Sequence, residues 1–346
     1  MDTGFQSVNI TDELELLVIL LDINPYTWGK RKLDNEQQQS SSAKSLISFS
    51  QFINQLLVFI NTFLTIQRNK KIAVIASSEN NKSHFLFPNR FRSKKDGKHN
   101  HNQIQVKSTD STSMLNMMGV KSGDDIEDFF LNDIGFESVQ NAVLSGLNSE
   151  EVTPSEDTEY MEDDGNHTTS TAQGFSLSGA LSMALCFINR LEKEKPLGMS
   201  LNSRILTFQV SPDISSQYIS VMNAIFSAEK MSIMLDACVL SNDDSTFLQQ
   251  ACFLTGGNYL KPQRQEGLIQ YLLTIFMLEK SLRSYIQLPV QNTVDFRASC
   301  FETRKPIDDG YVCPVCLSIF SSHKPVCSTC ASKLQRPTNR SVLSYK

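Results

Sequence analysis

Apolar residues along the chain recur at two different spacings, and segments with the two spacings alternate. Residues 16–21 form an unbroken apolar run, which is typical of a strand buried on both faces of a mostly parallel sheet. Residues 43–67 carry apolar side chains at helical spacing, and residues 71–77 form a second apolar run. The predicted order is strand, helix, strand, with a connection long enough for parallel pairing.

The same alternation returns after residue 176 and continues to residue 278. Gly256-Gly257 marks the end of one of these helices, because glycine readily takes the left-handed conformation of a helix C-cap. With a short strand at residues 84–87, the pattern predicts six strands and a doubly wound α/β sheet with helices on both faces. The strand at residues 16–21, as the most apolar, is predicted to lie near the middle. The other predicted strands cover residues 204–210, 232–240 and 258–260, and the helices cover residues 177–194, 216–230, 245–254 and 265–278.

Two stretches lack this regular pattern. Residues 29–42 are polar and are predicted to form a loop. Residues 89–173 are predicted to be a largely disordered insertion, because their polar composition buries too little apolar area to offset the ordering of the chain. Within this insertion, residues 124–147 could form a short amphipathic helix. The sheet domain, with its insertion, is predicted to cover residues 1–290.

Composition and charge narrow the class of protein. A chain of 346 residues with 40% apolar and 20% charged residues is typical of one large globular domain plus a small one. A net charge of −5 gives no overall attraction to nucleic acid. Acids precede the first apolar run, where a signal peptide would carry positive charge, and polar residues interrupt residues 52–66. We therefore expect a soluble intracellular protein that does not enter a membrane.

The eight cysteines fall into two groups. Cys186, Cys238 and Cys252 each stand alone among apolar residues and are predicted to be buried core thiols. Four others form two close pairs near the end of the chain. In a chain without an export signal, such pairs indicate a metal site in preference to disulfides. The paired residues are Cys313, Cys316, Cys327 and Cys330.

The spacing of the paired cysteines predicts a zinc site. Two intervening residues let both thiolates of a pair reach one ion, and two such pairs give the tetrahedral four-sulfur coordination that suits Zn²⁺. A closed shell of this kind predicts one structural zinc per chain, which stabilises a small C-terminal module at residues 291–346. Cys300 and His323 are further candidates, but we place both outside the shell because the two pairs already complete it.

The sequence offers no recognisable catalytic motif. A phosphate-binding glycine-rich loop with Lys-Ser/Thr, a Gly-x-Ser-x-Gly elbow and a His-Glu-x-x-His helix are all missing from it. We therefore expect a protein that is not an enzyme and has no small-molecule substrate. Basic residues occur in the C-terminal tail, but Glu302, Asp308 and Asp309 dilute their charge, so any contact with DNA is expected to be indirect or weak.

The first predicted strand ends in Asp22-x-Asn24-x-Tyr26. This resembles the von Willebrand factor A family, which has Asp-x-Ser-x-Ser at this place and adds a later Thr and a second Asp as ligands for a divalent cation. Ser178 could replace the Thr, and Asp213 follows slightly after the aligned position of the second acid. Because Mg²⁺ needs carboxylate charge, this is a poor site, and we predict that Asp22 instead caps its loop by accepting backbone N–H bonds.

Six segments together carry a more specific resemblance. They comprise residues 203–206, 217–218 with 221–226, 236–240, 248–252 with 255–260, 268–273 and 311–320. Together these segments are similar to the smaller von Willebrand A-type subunits, of fungal type, of the general transcription and DNA-repair factor TFIIH.

This resemblance implies a non-catalytic nuclear scaffold that docks other TFIIH subunits, chiefly the larger von Willebrand A and zinc-finger subunit. It would support transcription by RNA polymerase II and nucleotide excision repair. Such subunits carry further cysteines where this chain has Phe301-Glu302 and Ser321-Ser322, which argues against a second zinc and against a ubiquitin-ligase RING. The alternative is a von Willebrand A domain of another intracellular complex that binds a ligand through Mg²⁺ at Asp22.

Overall fold

The fold is described from a computed structural model. It describes residues 12–38, 46–66, 69–78, 83–88, 136–148, 175–279, 282–288, 294, 296–298, 300–303 and 307–334. Six strands form one sheet, and two more form a separate hairpin near the C-terminus. The strands of the sheet are β1 (Asp12–Asp22), β2 (Lys70–Ser77), β3 (Ser83–Phe87), β4 (Met199–Gln209), β5 (Met234–Val239) and β6 (Tyr259–Leu260). The hairpin strands are β7 (Tyr311–Val312) and β8 (Ile319–Phe320).

The order of the six strands is β3-β2-β1-β4-β5-β6. Strand β1 is central and pairs in parallel with β2 and β4, as its apolar run predicts. Strands β4, β5 and β6 continue the parallel pairing, whereas β3 is antiparallel to β2. The predicted mostly parallel, von Willebrand A-like sheet is confirmed.

Helices cover both faces of this sheet. The helix at Thr246–Thr255 is capped by Gly256, which has φ of 71°, so the predicted left-handed cap is confirmed. At Gly257 a side chain is impossible, because its Cβ would lie 1.9 Å from the Leu235 carbonyl oxygen. The helices are α1 (Pro25–Gln38), α2 (Phe49–Ile66), α3 (Phe136–Asn148), α4 (Leu177–Glu194), α5 (Tyr218–Lys230), α6 (Thr246–Thr255) and α7 (Leu268–Tyr271), the last continuing as a π-helical turn at Leu272–Phe276.

The core has two layers, one on each face of the sheet, because successive side chains of a strand point in opposite directions. Strand β1 contributes to both layers, which explains why its sequence shows no alternation. Leu16, Val18 and Leu20 share a cluster with residues of α4, α5 and α6, whereas Leu17, Ile19 and Leu21 share a cluster with residues of α2, α3 and α7.

Helix α2 is the helix in the described ranges that is long and apolar enough to cross a membrane by length and composition alone. Its apolar side, however, packs into the core of the sheet domain. The buried side chains are Phe52, Ile53, Leu56, Leu57, Phe59, Ile60 and Phe63.

Helix α1 lies where the sequence pattern predicted a loop at residues 29–42, so that prediction was wrong for residues 29–38. Pro25 begins the helix, at a position where its missing N–H is no loss, and the Asn24 side chain accepts the Tyr26 N–H at 3.1 Å. The helix buries Trp28 and Arg31 and exposes most of its other characterised side chains. Because this apolar face is so small, the sequence of α1 lacks the periodic spacing of apolar residues from which a helix is predicted.

Helix α3 lies inside the predicted insertion, at the end of the segment suggested for an amphipathic helix. Val139, Ala142 and Val143 are buried, and the helix contacts β3 and α2. This part of residues 89–173 is therefore ordered core, not disordered insertion. Residues 89–135 and 149–174 lie outside the described residues, where the expected disorder stays a prediction.

A buried network of charged side chains crosses four adjacent strands. Arg204 Nε donates to Glu15 Oε1 at 2.9 Å, and Lys70 Nζ lies 2.9 Å from Glu15 Oε2. Both guanidinium NH₂ groups of Arg283 donate to the two oxygens of Asp236, at 2.7 and 2.6 Å. Because Arg283 follows α7 in the chain, this network fixes the start of the C-terminal segment to the sheet.

Candidate metal centre

The four paired cysteines converge on one point. Their sulfur atoms all lie within 4.8 Å of one another. Cys313 Sγ is 3.7 Å from Cys330 Sγ, and Cys316 Sγ is 3.6 Å from Cys327 Sγ, so each pair faces the other. A tetrahedral zinc with Zn–S bonds of about 2.3 Å separates its sulfurs by roughly 3.8 Å. The donor set and its spacing therefore fit Zn²⁺.

Each cysteine pair lies in its own turn, and the two turns have the same hydrogen-bond pattern. In the first turn the Cys313 N–H donates to Ser318 O and the Leu317 N–H donates to Cys313 O, each at 2.9 Å. In the second, at residues 327–332, the corresponding two bonds are again 2.9 Å long. Leu317 and Ala331 occupy the same place in the two turns, with φ of 59° and 56°. The turns at residues 313–318 and 327–332 thus form an approximate local repeat.

Hydrogen bonds favour the thiolate form of two of these cysteines. The Cys316 N–H and then the Ser332 hydroxyl lower the pKa of Cys313 to about 6. The hydroxyl and the backbone N–H of Ser332 lower the pKa of Cys330 below its usual range. At Cys316 the hydrogen bonds from Ser318 lower the pKa, but desolvation and the contacts with the Cys330 and Cys327 sulfurs outweigh them and raise it. The environment thus favours the metal-binding thiolate form at Cys313 and Cys330 but not at Cys316.

The module around the cysteines has a very small apolar core. Its buried cluster consists of Cys313, Phe320 and Cys327, with Phe301 and Leu334 packed against it. The β7–β8 hairpin adds the pairs Tyr311↔Phe320 and Val312↔Ile319. Among the described residues, so small a buried cluster contributes little toward offsetting the ordering of the segment, and a metal held by the four cysteines would add to its stability.

Cys300 and His323 lie beside this cluster. Cys300 is buried and accepts the Ser321 N–H at 3.4 Å. Burial raises its pKa, but hydrogen bonds from Thr303, Glu302 and Ser321 outweigh this and lower it to about 6. The His323 ring packs edge-on against Tyr311, with centroids 5.6 Å apart. Neither residue belongs to the group of four sulfurs.

Two isolated cysteines are buried as predicted, and one is not. Cys238 and Cys252 lie in the core, and burial raises the pKa of both thiols. Cys186 is exposed on α4, so its prediction was wrong. Its neighbours in sequence, Leu185 and Phe187, are buried, but the helical period turns position 186 toward solvent.

Asp22 does cap its loop. Its Oδ2 accepts the N–H groups of Val210 and Ser211 at 2.9 and 2.6 Å, and its Oδ1 accepts the Asn24 N–H at 3.1 Å. Burial raises the pKa of this carboxyl group, although these hydrogen bonds oppose the shift. Both carboxylate oxygens are thus engaged by the chain's own backbone.

The other predicted cation ligands are also engaged elsewhere. The Ser178 hydroxyl donates to Gln217 Oε1 at 3.2 Å. Asp213 accepts the Ser245 hydroxyl at 2.6 Å and the Phe247 N–H at 3.2 Å, which holds the start of α6. Across the residues with described positions, the four cysteines form the one group of three or more His, Cys, Asp or Glu side chains able to share a metal ion.

Comparisons of the sequence with known proteins agree on one family. The family model described as transcription factor Tfb4 matches residues 14–331, a range that includes all four cysteines. General transcription factor IIH subunit 3 of Dictyostelium discoideum is 36% identical over 378 aligned positions, covering 95% of this chain and 91% of that protein. The TFB4 subunit of the general transcription and DNA repair factor IIH of Arabidopsis thaliana is 36% identical over 326 positions, covering 94% and 91%.

The chain belongs to the Tfb4 family. The resemblance carried by its sequence motifs is therefore confirmed. A crystal structure of the TFIIH p34 N-terminal domain matches the Tfb4-type fold with a TM-score of 0.51 and 24% identity, covering 76% of this chain and 98% of that one. At this identity the likeness shows the fold alone.

The sequence analysis missed two residues beside this candidate metal centre. Ser318 and Ser332 place their hydroxyl groups beside the cysteine sulfurs. Their signal in the sequence is a repeated Cys-x-x-Cys-x-Ser pattern, at residues 313–318 and 327–332.

Proposed function

We propose that this chain is a non-catalytic structural subunit of TFIIH. It docks sister subunits and supports transcription initiation by RNA polymerase II and nucleotide excision repair in the nucleus. The observation that carries this proposal is the family match over residues 14–331, together with relatives that are named as subunits of the general transcription and DNA repair factor IIH.

The geometry at Asp22 supports a scaffold over a metal-dependent ligand-binding domain. A cation at this edge of the sheet would need free carboxylate oxygens. The Asp22 oxygens instead accept three backbone N–H groups, and Asp213 is bound to the start of α6. These contacts stabilise the fold and leave no ready set of ligands for Mg²⁺.

We also propose that Cys313, Cys316, Cys327 and Cys330 hold one structural Zn²⁺ per chain, in a module at residues 291–346 that follows a sheet domain at residues 1–290. The sulfur distances support this ligand set. When bound, zinc would supply a cross-link between the two turns. With four protein ligands, no position remains at which zinc could activate water.

The partners proposed are other TFIIH subunits, chiefly the larger von Willebrand A and zinc-finger subunit. Contact with DNA is indirect or weak, and no small-molecule substrate is involved. Exposed apolar side chains on the C-terminal module suit contact with protein more than contact with phosphate. They include Val312, Val315, Leu317 and Val326, which are 46–69% exposed.

Affinity capture tests this function. The full-length chain, tagged at its N-terminus and expressed in its own host, is purified from nuclear extract, and the bound proteins are quantified by mass spectrometry. We expect the other TFIIH subunits in near-equimolar amounts, and a fluorescent fusion confined to the nucleus. Recovery of the chain alone, or with an unrelated complex, would contradict the proposal. An Asp22→Ala variant that folds but loses every partner would favour the metal-dependent alternative.

A further inference from the structure

Each of the two cysteine turns ends on a serine whose hydroxyl group faces sulfur. Ser318 Oγ lies 3.1 Å from Cys316 Sγ, and Ser332 Oγ lies 2.9 Å from Cys330 Sγ. Each serine therefore contacts the second cysteine of its own pair, two residues earlier. Ser332 Oγ is also 3.4 Å from Cys313 Sγ of the other pair. The contact within each pair is thus repeated in the two turns, and Ser332 adds a contact with the other pair.

The surroundings of Ser318 indicate what its hydroxyl does. Ser318 is 1% exposed, and a buried hydroxyl is normally hydrogen-bonded. Its backbone carbonyl accepts the Cys313 N–H at 2.9 Å, and this hydrogen bond fixes the backbone at Ser318. The Cys316 sulfur is the acceptor that its hydroxyl reaches. A thiolate accepts hydrogen bonds but cannot donate one, so with metal bound the hydroxyl must be the donor.

We propose that Ser318 and Ser332 are positioning residues for the zinc centre, each donating a hydroxyl hydrogen bond to a ligating thiolate. This inference rests on the proposed zinc site. Four thiolates around Zn²⁺ carry a net charge of −2, and donors directed at sulfur stabilise that excess charge. They also fix the orientation of each thiolate before the metal arrives. The two serines would affect how tightly zinc is bound, and they would take no part in any reaction.

The two serines should differ in how far water can replace them. Ser318 is buried, so water is poorly placed to replace its hydroxyl, and Ser318→Ala leaves Cys316 with only the backbone N–H of residue 318 as a donor from this position. Ser332 is partly exposed, so water can approach, but it touches sulfurs of both turns. Loss of a hydrogen bond beside a metal ligand typically weakens metal affinity by about 10- to 100-fold. We expect each Ser→Ala variant to lose zinc affinity by a factor in this range. The double variant should bind zinc more weakly than either single variant.

Zinc competition on the purified full-length chain tests the proposal. The rate and equilibrium of zinc transfer to a chromophoric chelator are measured for wild type, Ser318→Ala and Ser332→Ala. Ser328→Ala is the matched control, because Ser328 lies between two ligands of the same turn but is exposed. We expect the control to behave as wild type, and Ser332→Thr, which keeps a hydroxyl, to recover most of the lost affinity.

Cobalt spectra separate hydrogen bonding from a purely structural effect. In Co²⁺-substituted protein, a hydrogen bond to a thiolate lowers the energy of its sulfur electrons, so its loss should shift the sulfur-to-cobalt charge-transfer band to longer wavelength. We expect this shift in both Ser→Ala variants and not in Ser328→Ala. One zinc in wild type with unchanged affinity and spectra in the variants would overturn this inference alone. Wild-type protein without zinc would overturn the zinc site itself and this inference with it.

Discussion

The Asp22 carboxylate joins the end of β1 to the end of β4, because its oxygens accept the N–H groups of Asn24, Val210 and Ser211. The residue type and its place after an apolar strand are visible in the sequence, and so was its role as a cap. The identity of two of its three donors was not, because Val210 and Ser211 are 188 and 189 residues away in sequence. Contacts of this range depend on which strands are neighbours, which no local pattern records.

Asp22→Ala should therefore destabilise the sheet domain. It leaves three buried N–H groups without an acceptor, and we expect a loss of about 3 kcal/mol in the free energy of unfolding. Urea unfolding followed by circular dichroism measures this loss. Glu229→Ala, at an exposed position on α5, is the control and should change stability by less than about 0.5 kcal/mol. A change at Asp22 no larger than that of the control would mean that these hydrogen bonds do not hold the loop.

The backbone conformation of Ala331 should also cost the protein stability. Its φ of 56° is left-handed, where a Cβ costs roughly 1–2 kcal/mol. Ala331→Gly should remove this strain, stabilise the metal-bound module by up to about 1 kcal/mol after the added chain entropy of glycine, and slow zinc loss to a chelator. Ser328→Gly in the same turn has no such strain to relieve, so it should speed zinc loss. Equal effects of the two changes would contradict this explanation.

At the scale of secondary structure, the sequence predicted the helices and strands whose apolar residues follow a regular pattern. The six strands and α2, α4, α5 and α6 are of this kind. Helix α1 was missed because it reaches the core through little more than Trp28 and Arg31, and Arg31 does so by donating to Leu240 O at 2.7 Å. The charge network was missed for a related reason: Arg204 and Asp236 stand inside apolar strands, and their pairing depends on the register between β4 and β5.

Breaking that network should be costly. Asp236 is fully buried, and Arg283 donates to both of its oxygens. Arg283→Ala leaves a buried carboxylate whose remaining partners among the described residues are the Asn258 N–H, at 2.8 Å, and the Arg204 guanidinium, at 3.8 Å. Because neither partner replaces the two-bond ion pair with Arg283, we expect a loss of about 3–5 kcal/mol in the free energy of unfolding. Arg190→Ala removes a partly exposed pair with Glu194 and should cost less than about 0.5 kcal/mol. Similar midpoints for the two variants in urea would refute this assignment.

Helix α3 divides the predicted insertion into parts with different expected roles. Deleting residues 92–123 should shift the melting temperature by only a few degrees, because long surface loops cost little to close. Replacing residues 136–148 with a flexible linker should lower it much more, since Val139, Ala142 and Val143 are buried beside β3 and α2. Differential scanning calorimetry of the two deletions distinguishes them. Equal melting temperatures would mean that α3 does not contribute to the core.

At the scale of the whole molecule, stability comes from two different sources. The sheet domain has two apolar layers on a six-strand sheet, which is ample to fold without metal. In the described part of the C-terminal segment, the buried apolar cluster has three residues, and the two strands have two residues each. We therefore expect the order of this segment to depend on the four cysteines. This division stays a prediction, which the sequence suggests through the cysteine spacing because metal ligation is a local pattern in a way that side-chain packing is not.

Replacement of one ligand should separate the two parts. In Cys327→Ser a hydroxyl that stays protonated replaces a thiolate, so the module should lose its zinc and become sensitive to protease, while the sheet domain melts nearly as in wild type. Metal analysis should return about one zinc per wild-type chain and almost none in the variant. Cys300→Ser is the matched control, because Cys300 is buried beside the cluster but outside the group of four sulfurs, and it should keep its zinc. Loss of zinc in Cys300→Ser, or two zinc ions in wild type, would mean that Cys300 is a ligand and that the centre is larger than four cysteines.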